Sequence, residues 1–122
     1  MSIYPTLRYD DAAAAIPFLT GALGLRELAV HTDGGVVQHA ELAHDDGVVM
    51  IGTRRPGDSF DTGRAVLYLA VEDADAHHDR AVAAGAEVVM PLTDQPYGSR
   101  EYAVRDPEGN VWSVGTYRPE VS

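Results

Sequence analysis

Short runs of alternating apolar and polar residues recur along this chain, interrupted by two alanine-rich stretches of helical character. Alternation places successive side chains on opposite faces of a strand, whereas a helix repeats every turn. On that basis Ile3–Tyr9 reads as a strand. Asp11 then caps an alanine-rich helix that ends near Gly24, in keeping with the preference for aspartate and glycine at helix ends. Glu27–Thr32, Val36–Ala43 and Val48–Thr53 follow as short strands, separated by turns at Asp33-Gly-Gly35 and Asp45-Asp-Gly47. Gly34, Gly35 and Gly47 are therefore turn glycines. Ala65–Val71 starts a second series, with a helix from Asp73 to Ala84 and strands at Glu87–Leu92, Arg100–Arg105 and Val111–Tyr117. Pro17 conflicts with the first helix, where it removes a hydrogen bond at a cost of roughly 3 kcal/mol. It predicts a kink there, or a helix that starts later than its cap.

The two series repeat each other. Asp11-Ala-Ala-Ala-Ala15 and Leu23-Gly24 answer Asp73-Ala-Asp-Ala76 and Ala84-Gly85, and Gly47-Val-Val-Met-Ile-Gly-Thr53 answers Asn110-Val-Trp-Ser-Val-Gly-Thr116. The offset drifts from 62 to 61 and then to 63. The last change falls where His44-Asp-Asp-Gly47 becomes the longer Arg105-Asp-Pro-Glu-Gly-Asn110, and turns tolerate such length changes best. The expected organisation is a single domain of two βαβββ copies, residues 3–53 and 64–118. An exposed linker over 54–63, marked by Pro56, Gly57 and Gly63, joins them.

Composition narrows the function. A length of 122 residues suits one compact domain. The net charge is −10 and all nine basic residues are arginine. Without a basic patch neither nucleic acid nor an anionic membrane is expected as a partner. The absence of lysine excludes Schiff-base chemistry, and the absence of cysteine excludes disulfides and thiolate nucleophiles. The first apolar stretch is broken by Pro5 and Arg8, so neither signal peptide nor membrane span is expected, and the chain reads as cytoplasmic.

The paired βαβββ pattern resembles the vicinal oxygen chelate superfamily, which includes glyoxalase I, extradiol dioxygenases and the fosfomycin and bleomycin resistance proteins. Within it the chain resembles the glyoxalase/bleomycin-resistance group, and there the PhnB-like branch. The residues behind this are Ala15-Ile-Pro-Phe18, Leu23-Gly24-Leu25, Val71-Glu-Asp73, Tyr97-Gly-Ser-Arg100 and Asp106-Pro-Glu-Gly-Asn-Val-Trp-Ser113. The resemblance implies an α+β fold with a curved, cup-shaped mixed sheet, helices on its convex side, and metal and substrate in the cup.

Metal-dependent members draw ligands from the first and last strand of each copy. By the family's spacing those positions fall on Tyr4, Met50, Val66 and Ser113. Phenol, thioether, methyl and hydroxyl groups do not replace the imidazole and carboxylate donors that transition metals need. No metal and no cofactor is therefore expected. The histidines do not supply a substitute site. His77 and His78 point about 100° apart on a helix, His39 and His44 fall on opposite faces if they share a strand, and His31 reads as a turn residue.

Alternation suggests what lines the cup instead. Tyr4, Thr6 and Arg8 share one face of the first strand; Val66, Tyr68 and Ala70 share one face of its counterpart; Val111, Ser113 and Gly115 share one face of the last strand. If residues 106–110 form the final loop, Ala103 opposes Ser113 and Glu101 opposes Gly115, which turns Glu101 inward. A loop one residue different exchanges Glu101 for Tyr102 and Arg100, and a rim pairing of Glu101 with Arg100 or Arg105 stays open. The first-copy hairpin places Leu42 opposite Met50, with Ala40 and Gln38 inward. Tyr4 and Tyr68 are candidates for stacking on a flat ligand, and Arg8 for an anion contact or for pairing with an acidic neighbour.

The expected function is metal-independent binding of a small, partly aromatic or cationic molecule, as in antibiotic or metabolite sequestration. The ligand-binding residues would be Tyr4, Thr6, Arg8, Gln38, Met50, Val66, Tyr68, Glu101 and Ser113. The alternative is a lyase, isomerase or dioxygenase of the superfamily, metal-dependent or using Glu101 as its base. Open strand edges predict a homodimer.

Overall fold

The computed structural model describes residues 2–121 and divides into two compact units, Met1–Gly63 and Arg64–Ser122. Each is a βαβββ unit, so the fold is α+β. The first contains β1 (Thr6–Tyr9), α1 (Ala12–Gly21), β2 (Arg26–Asp33), β3 (Val36–His44) and β4 (Gly47–Thr53), with sheet order β1-β4-β3-β2. The second contains β5 (Val66–Ala70), α2 (Ala74–Ala83), β6 (Glu87–Asp94), β7 (Arg100–Arg105) and β8 (Val111–Gly115), ordered β5-β8-β7-β6. In each sheet the first strand runs parallel to the last, and the remaining pairs are antiparallel. No helix among the described residues is long and apolar enough to cross a membrane.

Each sheet buries one face under its own helix. In the first unit Tyr9, Leu42, Ile51 and Ala40 pack with Ala12, Ala15, Ile16 and Leu19 of α1 in the core. In the second, Leu69, Tyr102, Val104, Trp112 and Val114 form the core with Ala74 and Ala81 of α2. Both helices start where their aspartates dictate: Asp11 accepts from the Ala14 amide and Asp73 from the Ala76 amide, each at 3.0 Å. Tyr102 anchors α2 from below. Its hydroxyl lies 2.5 Å from His77 Nδ1, and burial pushes the phenol pKa up to about 12.

The structure corrects several expectations. β1 begins at Thr6, so Ile3, Tyr4 and Pro5 precede the strand; Pro5 has no amide hydrogen and contributes its carbonyl to the Met50 amide instead. The helix does not start late. It runs through Pro17, which is exposed, and the carbonyl of Ala13 loses its helical donor. Pro17→Ala is therefore expected to stabilise the protein by about 1–3 kcal/mol, read as a higher midpoint in urea; an unchanged or lower midpoint would contradict it. His31 lies in β2 opposite His39 with the rings stacked, not in a turn. In the β3–β4 hairpin Leu42 opposes Val49 and Met50 opposes Glu41, one residue from the expected register. The cause is the tight turn at Asp45-Asp46, where Asp45 adopts φ 50° and His44 pairs with Gly47.

Candidate ligand-binding site

The face of the second sheet away from α2 carries an open cleft of about 630 Å³, lined by Tyr68, Tyr97, Glu101, Ser113, Tyr117 and Pro119. Its floor follows from the strand register. Ser113 sits between Tyr68 of β5 and Ala103 of β7, and Gly115 pairs with Ala70 and Glu101. Directly paired residues share a face, so Tyr68, Ser113 and Glu101 come up together. Gly115 makes the arrangement possible. A Cβ there would lie 2.5 Å from Glu101 Cγ and 2.8 Å from the Tyr68 hydroxyl oxygen, so a hydrogen at this position lets both side chains cross the β8 backbone.

Glu101 is only 6% exposed. One carboxylate oxygen accepts from the Tyr97 hydroxyl at 2.8 Å and the other from Ser99 Oγ at 2.9 Å. Ser99 Oγ in turn accepts the Tyr117 amide at 3.0 Å, and Tyr68 donates its hydroxyl to the Tyr117 carbonyl at 2.7 Å. These bonds hold the segment after β8 against β7, aided by the Thr116 amide on the Arg100 carbonyl. Tyr97 stands within a tight turn closed by the Gly98 amide on the Gln95 carbonyl, where Gly98 adopts φ 89°, a conformation that favours glycine. Its ring meets Tyr117 edge-on at 5.9 Å. The hydrogen bond to Glu101, followed by burial, holds the Tyr97 phenol above its usual pKa. Burial does the same for Tyr68, with the Glu101 charge adding to it. The result is an aromatic cleft with a carboxylate at its base.

The remaining expected ligand contacts are each placed within their own unit. Val66 is 75% exposed and pairs with Val111, away from Ser113. In the first unit Thr6 lies beside Met50, Tyr4 precedes the strand, and Gln38 is skipped where the β2–β3 register slips between His31 and Thr32. The Gln38 amide oxygen accepts from Arg55 at 2.8 Å. Arg8 takes the pairing role: it binds Asp61 at 3.1 Å and Asp58 at 3.4 Å and lies over the Phe60 ring. The mostly exposed segment 54–63 thus folds back on its own unit through these contacts.

Sequence reasoning missed Tyr97, Ser99, Tyr117 and Pro119. They stand in a turn and in the chain after β8, where alternation says nothing about direction. The one available signal was the Tyr97-Gly-Ser-Arg100 segment, noted as a motif and not as a lining.

Two βαβββ units, each a mixed four-stranded sheet with one helix, define the class of fold. The chain belongs to the Glyoxalase/Bleomycin resistance protein/Dioxygenase superfamily, which residues 3–114 match. It is 36% identical to the uncharacterized protein Mb0911c of Mycobacterium bovis, over 99% of this chain and 86% of that protein. Among solved structures it is similar to TioX from Micromonospora sp. ML1, with a TM-score of 0.83 and 33% identity over 97% of this chain and 99% of that one. It also shares its fold with TnmS3, an antibiotic binding protein from Streptomyces sp. CB03234. There the TM-score is 0.72, at 21% identity over 93% of this chain and 96% of that one.

The divalent ion used by many members of the superfamily finds a poor donor set here. The expected positions hold Tyr4, Met50, Val66 and Ser113, and the residues beside Met50 and Ser113 in the parallel ladders are Thr6 and Tyr68. No group of three or more His, Asp or Glu residues that could hold a metal ion occurs among the described residues. His31 and His39 do meet across β2 and β3, but His39 Nε2 is already bonded to Glu41 at 2.9 Å. These side chains do not fit a catalytic transition metal, which takes about three protein ligands and keeps a position open.

Proposed function

We propose that this chain is a metal-independent binding protein that sequesters a small, partly aromatic or cationic molecule, such as an antibiotic or metabolite, in the cleft of its second unit. The observation that carries this reading is the cleft's composition: Tyr68, Tyr97 and Tyr117 offer ring surface above the buried carboxylate of Glu101. Rings supply large contact area at low entropic cost, and their faces also attract cations. Shared fold with TnmS3 is in keeping with the reading as an analogy of architecture alone. Planar aromatic compounds are expected to raise the melting temperature. At a hundredfold excess over the dissociation constant the gain is about 2.7 kcal/mol, and Tyr68→Ala or Tyr97→Ala should diminish it. If neither substitution alters the response to any compound that binds, the ligand sits elsewhere and the reading falls.

The protein is further proposed to be a homodimer. β2 is an outer strand of its sheet and leaves Leu28 and Val30 exposed, an edge that favours pairing with a second chain. Light scattering across micromolar concentrations should give twice the chain mass; a monomer throughout would contradict this.

A further inference from the structure

Several carboxylates elsewhere in the chain are matched by arginine, and the buried Asp106 is met by four N–H donors. Asp58 and Asp61 hold Arg8, Asp75 and Asp94 hold Arg100, and Glu87 holds Arg105. Glu101 is different. It is the buried carboxylate of the cleft, its two oxygens meet only the neutral hydroxyls of Tyr97 and Ser99, and among the described residues no arginine or histidine nitrogen lies within ion-pair distance of it. The neighbouring Arg100 points to the opposite face of β7, where Asp75 and Asp94 take its guanidinium. A carboxylate offers about four acceptor positions, so two hydroxyl donors leave lone pairs on both oxygens unused. A buried charge compensated only by neutral dipoles is costly to keep.

We infer that Glu101 makes the cleft selective for an aromatic monocation bearing N–H donors, with its amidinium, guanidinium or protonated amine on the carboxylate and its ring among Tyr68, Tyr97 and Tyr117. This rests on the proposal that the cleft binds a small molecule, and it names the ligand class. A planar fork of N–H groups matches both carboxylate oxygens at once, so the charge that lacks a partner within the chain receives one from the ligand. The net charge of −10 also draws cations towards the surface, but that attraction is unspecific and screened beyond about 8 Å at physiological salt. Selectivity therefore has to reside in Glu101.

The test is calorimetric titration of the full chain, at neutral pH and physiological ionic strength, with three compounds on one ring: 2-naphthamidine, 2-naphthamide and 2-naphthoate. Wild type is expected to bind the cationic amidine at least about tenfold more tightly than the neutral amide, and the anionic naphthoate least. Glu101→Gln removes only one negative charge from the surface field but should bring amidine and amide to similar affinity. Tyr97→Phe strips one neutral donor from the carboxylate, and should widen the gap. Equal affinity of wild type for amidine and amide would overturn the inference while leaving the cleft-binding proposal standing. So would an amidine preference that survives in Glu101→Gln, or one that closes in Tyr97→Phe. Failure of all three compounds to bind wild type would overturn both.

Discussion

Asp106→Ala is expected to destabilise the protein by about 3–5 kcal/mol, a fall of roughly 10–20 °C in melting temperature. Asp106 is 3% exposed and opens the turn between β7 and β8. One carboxylate oxygen accepts the amides of Glu108 and Asn110, both at 3.0 Å, and the other accepts Asn110 Nδ2 and Trp112 Nε1, both at 3.1 Å. Alanine would leave the Asn110 amide and the indole N–H buried without partners, and an orphaned buried donor costs about 1–3 kcal/mol. Trp112 is fully buried and central to the second core, so water cannot easily replace the lost acceptor. Asn110 in turn holds β5, because its side-chain oxygen accepts the Ala65 amide at 2.8 Å. Asp106→Asn keeps part of the acceptor set and should fall between. Equilibrium unfolding in urea measures the effect, and a loss below about 1 kcal/mol would show that the turn does not organise the unit.

The second large effect is expected at Gly115. Gly115→Ala places a methyl group where Glu101 Cγ and the Tyr68 hydroxyl now sit, so both side chains must move into the cleft or out of their hydrogen bonds. Overpacking of this kind typically costs about 1–3 kcal/mol. The ligand response should suffer more: affinity for 2-naphthamidine is expected to fall at least about tenfold. Gly52→Ala is the matched control. It occupies the corresponding place in β4, where a Cβ would meet the Gln38 carbonyl at 2.8 Å. It should therefore lower stability without touching the cleft. Equal losses of affinity in both variants would mean that general destabilisation, not the packing of Glu101 and Tyr68, controls binding.

Much of this was legible in the residues themselves. The repeat was visible because Asp11 and Asp73 cap equivalent helices and because aliphatic-Gly-Thr closes the last strand of one copy and spans the end of that of the other. The β7–β8 register followed from the Asp106–Asn110 loop, whose length places Glu101 opposite Gly115 and Ala103 opposite Ser113. The β3–β4 hairpin was misread by one residue, since its loop is a two-residue turn through Asp45 in a conformation that aspartate only sometimes adopts. Arg8 illustrates a different limit. Alternation gave its face, but its partners Asp58 and Asp61 lie about fifty residues away, and no periodicity reports such a contact. Tyr97 and Tyr117 were overlooked for the same reason: their places depend on the bonds of Ser99 and of Tyr68 to the chain after β8.

The central claim is that the second unit binds its ligand with side chains alone. The most direct measurement is calorimetric titration of 2-naphthamidine into protein stripped with EDTA, repeated after adding one equivalent of nickel, zinc or manganese. The account predicts dissociation constants that agree within about twofold with and without metal. Binding that disappears in EDTA and returns with a divalent ion would contradict it.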